Sequence, residues 1–138
     1  MALDLKQDVF QPVVSRIINR SDSLREIKRF TNTGIEGWFK VEIVAALGAK
    51  VTSLNNVGPD LTLEDKTKIE IKAATNFAKS WCVVDPLKKY GSPVLFLADG
   101  SDPAKFMVGR DDTFEIIGYE VFSDGINSWL LGMAKPKS

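Results

Sequence analysis

The residues best suited to chemistry lie in one short stretch that holds two acids and a lysine. Asp60 opens it, and after nine further residues the chain continues Glu70, Ile71, Lys72. Side chains alternate between the two faces of a strand, so Glu70 and Lys72 are expected side by side on one face. A hairpin through residues 64–68 would bring Asp60 alongside, so that two carboxylates converge next to one ammonium.

Such a convergence of carboxylates predicts a cation site. Two nearby carboxylates repel each other unless a cation joins them, and a hard divalent ion such as Mg²⁺ suits oxygen ligands. The ion can generate a hydroxide nucleophile and neutralise charge that develops on a phosphodiester. A neighbouring lysine can position the attacking water or stabilise the pentacovalent phosphate.

A helix predicted over residues 35–47 and ending near Gly48 supplies a third acid. In helical projection Glu42 falls in the middle of the apolar arc, between Trp38 and Ile35. A carboxylate that faces the core is costly unless it is paired. We therefore expect a metal ion or the ammonium of a lysine, Lys72, to be its partner.

Two other charged residues of this helix are expected to lie on its polar side. Glu36 precedes Lys40 by four residues, which is the spacing of an ordinary surface ion pair.

The composition narrows the possible chemistry further. The 138 residues fit one domain. With one cysteine and no histidine, neither a Cys/His zinc site nor a serine or cysteine nucleophile activated by histidine is possible. The 18 basic and 18 acidic residues balance, unlike a strongly basic nucleic-acid coat protein. No apolar run approaches the ~20 residues of a membrane span and no signal-peptide pattern is present, so we expect a soluble, cytoplasmic protein.

The elements that must position these residues run from helices to strands. Helices are predicted over residues 4–20, 23–30 and 35–47, and residues 76–90 are expected to be helical or irregular. Alternating and continuous apolar runs predict several strands, and Asp124-Gly125 is typical of a hairpin turn. The order predicts a mixed α/β or α+β domain with one sheet.

Pro59-Asp60 followed by Glu70-Ile71-Lys72, after a helix with an inward acid, resembles the PD-(D/E)xK nuclease superfamily. Its members include restriction endonucleases, junction-resolving enzymes, and phage and repair nucleases. The resemblance covers about residues 35–100. It implies a restriction-endonuclease-like core, with a central mixed β-sheet flanked by helices in the order αβββαβ.

The resemblance also implies a division of the chain and a role for each motif residue. The chain would be a single nuclease domain, with a helical N-terminal extension (1–34) and C-terminal strands (about 101–138). Asp60 and Glu70 would bind Mg²⁺, or Mn²⁺ as a substitute, and the carbonyl of Ile71 would add a ligand. Lys72 would assist the attacking water, and Glu42 would support the metal.

The function implied is that of a small Mg²⁺-dependent endodeoxyribonuclease that leaves a 5′-phosphate. DNA is the expected partner, with Lys66, Thr75, Asn76 and Lys79 as candidate contacts. Because one active site cuts one strand, a homodimer is the economical arrangement for a substrate with two strands.

Three other interpretations remain open. The protein could be a restriction-type, sequence-specific endonuclease, or a nuclease subunit that needs a partner for recognition. It could also be a non-catalytic assembly module, in which Glu42 and Lys72 form a structural ion pair. In a purely structural interpretation of each residue, Asp60 is a turn residue after Pro59, and Glu70 and Lys72 belong to a solvated strand face. Glu42 would then be buried in a structural ion pair with an arginine or a lysine.

Overall fold

The computed structural model describes residues 2–30, 34–55, 57–74, 87, 89–100 and 114–137. Within these ranges three α-helices are followed by a six-stranded mixed sheet. The predicted mixed α/β or α+β class with one sheet is confirmed.

The helices occupy the first third of the chain. A π-helical segment, Leu5–Phe10, leads into α1 (Gln11–Asn19), which is followed by α2 (Ser21–Phe30) and α3 (Ile35–Leu47). Pro12 lies in the first turn of α1, where a helix needs no amide donor. The predicted helix over residues 4–20 is thus present, with a change of helical pitch just before the proline. In the described ranges no helix has the length and apolar character needed to cross a membrane.

Helix α3 has the predicted bounds, and it ends where the sequence changes to Gly48. That glycine has φ 55°, a left-handed conformation that glycine adopts without steric cost. A short 3₁₀ turn, Gly48–Lys50, then connects α3 to the first strand.

The sheet has six strands in the order β1-β2-β3-β4-β6-β5. Strands β3 and β4 are parallel and every other neighbouring pair is antiparallel. The bounds are β1 Val51–Leu54, β2 Leu61–Leu63, β3 Lys68–Ala74, β4 Val94–Asp99, β5 Phe114–Ser123 and β6 Ser128–Pro136.

Strand β2 is short, and this leaves an opening beside β3. The register of the two strands has only the pairs Leu61–Ile69 and Thr62–Lys68. Strand β3 nevertheless continues beside β4 from Glu70 onward. We call the opening between Asp60 and residues 70–73 of β3 the strand gap.

Buried apolar side chains cover both faces of the sheet. Alternate residues of β4 belong to different clusters: Leu95 packs with the side chains of the helices, and Phe96 packs on the opposite face with Leu87. A strand that is buried on both faces has a continuous apolar sequence, as residues 94–98 do. On the second face Phe96 also lies over Gly132, where a Cβ atom would overlap its ring.

The β5–β6 hairpin is held by the side chain of its turn residue, Asp124. This carboxylate accepts hydrogen bonds from the backbone N–H groups of Ile126 and Asn127 and, at 2.8 Å, from the indole N–H of Trp129. Gly125 follows with φ 99°. The predicted Asp-Gly turn is confirmed, and it is tied to the core through the buried indole.

Candidate metal centre

The strand gap brings two carboxylates to the main chain of β3. Asp60 Oδ2 accepts the N–H of Ile71 at 2.8 Å, and Glu70 Oε1 accepts the same N–H at 3.2 Å. The N–H of Glu70 donates to the carbonyl of Pro93, on the β4 side. Since successive residues of a strand point their backbone groups to opposite edges, the N–H and C=O of Ile71 both point into the gap. The expectation that Asp60 lies near Glu70 is confirmed.

The pKa values of the two carboxyl groups are shifted in opposite directions. Burial raises the pKa of Glu70 to about 7, and the adjacent Asp60 adds to this increase. Burial also acts to raise the pKa of Asp60, but hydrogen bonds from Glu70, Lys40 and the Ile71 N–H outweigh it, so the pKa of Asp60 lies below its ordinary value. Below about pH 7 the pair therefore holds one proton, mainly on Glu70, and above that pH both groups ionise.

Lys40 reaches this pair from helix α3. Its Nζ lies 2.7 Å from Asp60 Oδ1. The hydrogen bond to Asp60 raises the pKa of Lys40 above its ordinary value, against the effect of burial, and the charges of Glu36 and Glu70 add to the increase. Lys40 is therefore a permanent cation in the middle of an acidic cluster.

Glu36 also faces the strand gap rather than the surface. Its Oε1 accepts the N–H of Ala73 at 3.2 Å. Within the described residues Glu36 forms no ion pair with Lys40 shorter than 4 Å, so the expected Glu36–Lys40 surface pair is wrong. The reason is the short β2 strand: it leaves the edge of β3 open, and the exposed amides of that edge need acceptors. The i, i+4 spacing of Glu36 and Lys40 signalled a shared helix face, but not that this face covers the sheet edge.

Glu42 is buried as predicted, with 4% of its surface exposed, but its partners differ from those expected. Arg16 Nε lies 2.6 Å from Oε2, and Arg20 Nε lies 3.6 Å from Oε1. Two positions along a helix are separated by about 200°, so Glu42 faces α1 while Lys40 faces the strand gap. The structure thus pairs Glu42 with two arginines, and the expected pairing with Lys72 is wrong.

Lys72 lies on β3 two residues after Glu70. Its charge acts to lower the pKa of Glu70, as expected for a neighbour on the same strand face. In the described part of the chain the Lys72 ammonium has no ion-pair partner within 4 Å, and the Glu42–Lys72 pair is not formed.

The candidate DNA contacts fall in two groups. Lys66 lies in the β2–β3 turn with φ 73°, and it is exposed. Thr75, Asn76 and Lys79 lie outside the described residues.

The donor set of the strand gap suits a hard divalent cation with few protein ligands. In the described ranges no group of three acidic, histidine or cysteine side chains converges as a complete metal cluster. Asp60, Glu70 and the carbonyl of Ile71 are the available set. Mg²⁺ is commonly held by one or two carboxylates and keeps several waters, so this set fits.

Comparison with known proteins gives no relative: no family model, no curated protein and no solved structure matches the chain. The assignment of a function therefore rests on the geometry of the strand gap.

Proposed function

We propose that the protein is a Mg²⁺-dependent endodeoxyribonuclease. The observation that carries this proposal is the convergence of Asp60 and Glu70 on the N–H of Ile71, with Lys72 next on the same strand. Buried, crowded carboxylates beside a lysine are costly in a purely structural role. The cost is explained if the site takes up a divalent cation.

The order of elements supports a restriction-endonuclease-like core within this proposal. Helix α3 is followed by β1, β2 and β3, and β4 then lies parallel to β3. Residues 87, 89 and 90, just before β4, are helical. This order agrees with αβββαβ, and the site lies where β2 and β3 separate.

Each group in the strand gap then has a role. Asp60 and Glu70 bind Mg²⁺, and the carbonyl of Ile71 provides a third ligand. When bound there, the ion would lower the pKa of a coordinated water and neutralise charge that develops on the phosphodiester. Lys72 orients the attacking water, and Glu36 holds the edge of β3 in place through the Ala73 N–H. Hydrolysis leaves a 5′-phosphate on the product.

DNA is the proposed substrate, with Lys66, Thr75, Asn76 and Lys79 as contacts. A homodimer is proposed because each site cuts one strand and a duplex presents two.

A second candidate function is that of a non-catalytic assembly module. The observation that favours it is that Lys40 and the Ile71 N–H already satisfy both oxygens of Asp60. In this alternative the carboxylates serve only to cap the open edge of β3.

Nicking of supercoiled plasmid and of a synthetic four-way junction, in Mg²⁺ or EDTA, tests the proposal. We expect Mg²⁺-dependent nicking by the wild type and a loss of about 10²-fold or more in Asp60→Asn and Lys72→Ala. Lys68→Ala is the matched control, since Lys68 is an exposed lysine of the same strand, and it should retain full activity. Absence of cleavage together with absence of Mn²⁺ binding by calorimetry would overturn the proposal in favour of the assembly module.

A further inference from the structure

Lys40 is the one lysine among the described residues whose ammonium forms an ion pair with a carboxylate of the proposed metal site. Its Nζ lies 2.7 Å from Asp60 Oδ1, while the other oxygen of that carboxylate is bound to the main chain of β3. Oδ1 accepts no hydrogen bond from the backbone of β3, so it is the oxygen of Asp60 that an ion would bind. It is also the oxygen that pairs with the Lys40 ammonium.

The ammonium also lies among acidic groups. Asp60, Glu36 and Glu70 all act to raise the pKa of Lys40. A divalent cation bound by Asp60 would be attracted by the same three carboxylates and repelled by the ammonium beside it. Placing the divalent cation and the Lys40 ammonium side by side at Asp60 would therefore be energetically costly.

The side chain of Lys40 can move from Asp60 into solvent. It is 37% exposed, whereas that of Asp60 is 17% exposed. A lysine has a flexible four-carbon stem, and its ammonium is strongly hydrated in water. Breaking the pair therefore returns the charge to solvent instead of leaving it buried.

We propose that Lys40 is a built-in counter-ion of the strand gap, which stabilises Asp60 in the metal-free protein and must be displaced when a divalent cation binds. This inference rests on the proposed metal site and describes its regulation: the affinity for the ion is set by competition with Lys40. A protein of this design is stable without metal and binds the ion only when its free concentration is high.

Binding of Mn²⁺, followed through the electron paramagnetic resonance signal of the free ion, tests this competition without reference to activity. The buffer is set above the pKa of Glu70, and the variants are Lys40→Met and Lys40→Arg. Lys40→Met keeps the length of the side chain and removes its charge, whereas Lys40→Arg retains the charge. Lys135→Met is the matched control, because Lys135 pairs with the surface residue Glu115.

We expect Lys40→Met to bind Mn²⁺ about three- to fivefold more tightly than the wild type, as the loss of one partly exposed ion pair implies. Lys40→Arg and Lys135→Met should bind no more tightly than the wild type. Circular dichroism verifies that each variant is folded, and Lys40→Arg keeps the test informative if Lys40→Met is unstable, because tighter binding by Lys40→Arg contradicts the competition.

The outcomes separate the two proposals. If the wild type binds Mn²⁺, Asp60→Asn does not, and Lys40→Met binds no more than twofold tighter, the competition is wrong and the metal site stands. If neither the wild type nor Lys40→Met binds Mn²⁺, or Asp60→Asn binds as well as the wild type, the metal site itself is wrong and the competition falls with it.

Discussion

Replacement of Glu70 by glutamine should make the metal-free protein more stable at alkaline pH. Glu70 is 6% exposed, and its pKa is raised from 4.5 to about 7 by burial and by Asp60. A carboxyl with a raised pKa binds its proton more tightly in the folded state than in the unfolded state. Between these two pKa values the folded state therefore holds more protons, and the free energy of unfolding falls as the pH rises.

The magnitude follows from the difference between the two pKa values. From 4.5 to about 7, the difference of about 2.5 corresponds to about 3 kcal/mol. A glutamine at this position resembles the protonated acid: it donates to Asp60 and accepts from the Ile71 N–H. The free energy of unfolding of Glu70→Gln should thus exceed that of the wild type by about 2–3 kcal/mol at about pH 8 and by less than about 1 kcal/mol at about pH 5. The two values should converge below pH 4.5, the ordinary pKa of the group.

Urea unfolding in EDTA, at several pH values between these limits, measures the effect. Glu64→Gln is the matched control, since Glu64 is exposed in the β2–β3 turn, and its stability should stay within about 0.5 kcal/mol of the wild type. Added Mg²⁺ should then stabilise the wild type by mass action and leave Glu70→Gln unchanged. A Glu70→Gln variant no more stable than the wild type at about pH 8 would refute the reasoning.

Three further substitutions, each measured by urea unfolding, test the parts of the fold away from the strand gap. Asp124→Ala should cost about 2–3 kcal/mol, because the buried indole N–H of Trp129 loses its acceptor; a loss below about 1 kcal/mol would contradict this. Glu42→Ala should cost about 1–2 kcal/mol, less than a fully buried pair, since its arginine partners are 40% and 46% exposed; an unchanged stability would count against it. Gly132→Ala should cost about 1–3 kcal/mol through overlap with the ring of Phe96, and a neutral effect would show that the ring moves freely.

The sequence was sufficient to predict the features that depend on local patterns. Helix α3 has the predicted bounds because its apolar spacing and Gly48 define both its interior and its end. The Asp124-Gly125 turn and the approach of Asp60 to Glu70 were also predictable, because hairpin geometry brings nearby segments together.

The orientation of the charges on α3 was not predictable in the same way. Helical projection ranks residues by their distance from the centre of the apolar face, and so it identified Glu42 as buried. It does not show which helix or strand packs against each part of that face. Glu42 meets the arginines of α1, whereas Glu36 and Lys40 meet the open edge of β3. That edge is open because β2 has only three residues, a property of the tertiary register and not of the α3 sequence.

The anchoring of acidic side chains by the backbone of β3 has a consequence for how this protein can evolve. The N–H groups of Ile71 and Ala73 hold Asp60, Glu70 and Glu36 in place. Every amino acid except proline carries such an N–H. Replacements at positions 71 and 73 are therefore limited by packing in the core and not by the carboxylates. The site should tolerate amino-acid substitutions along the strand that supports it. Proline is the exception, and at either position it would remove the anchor itself.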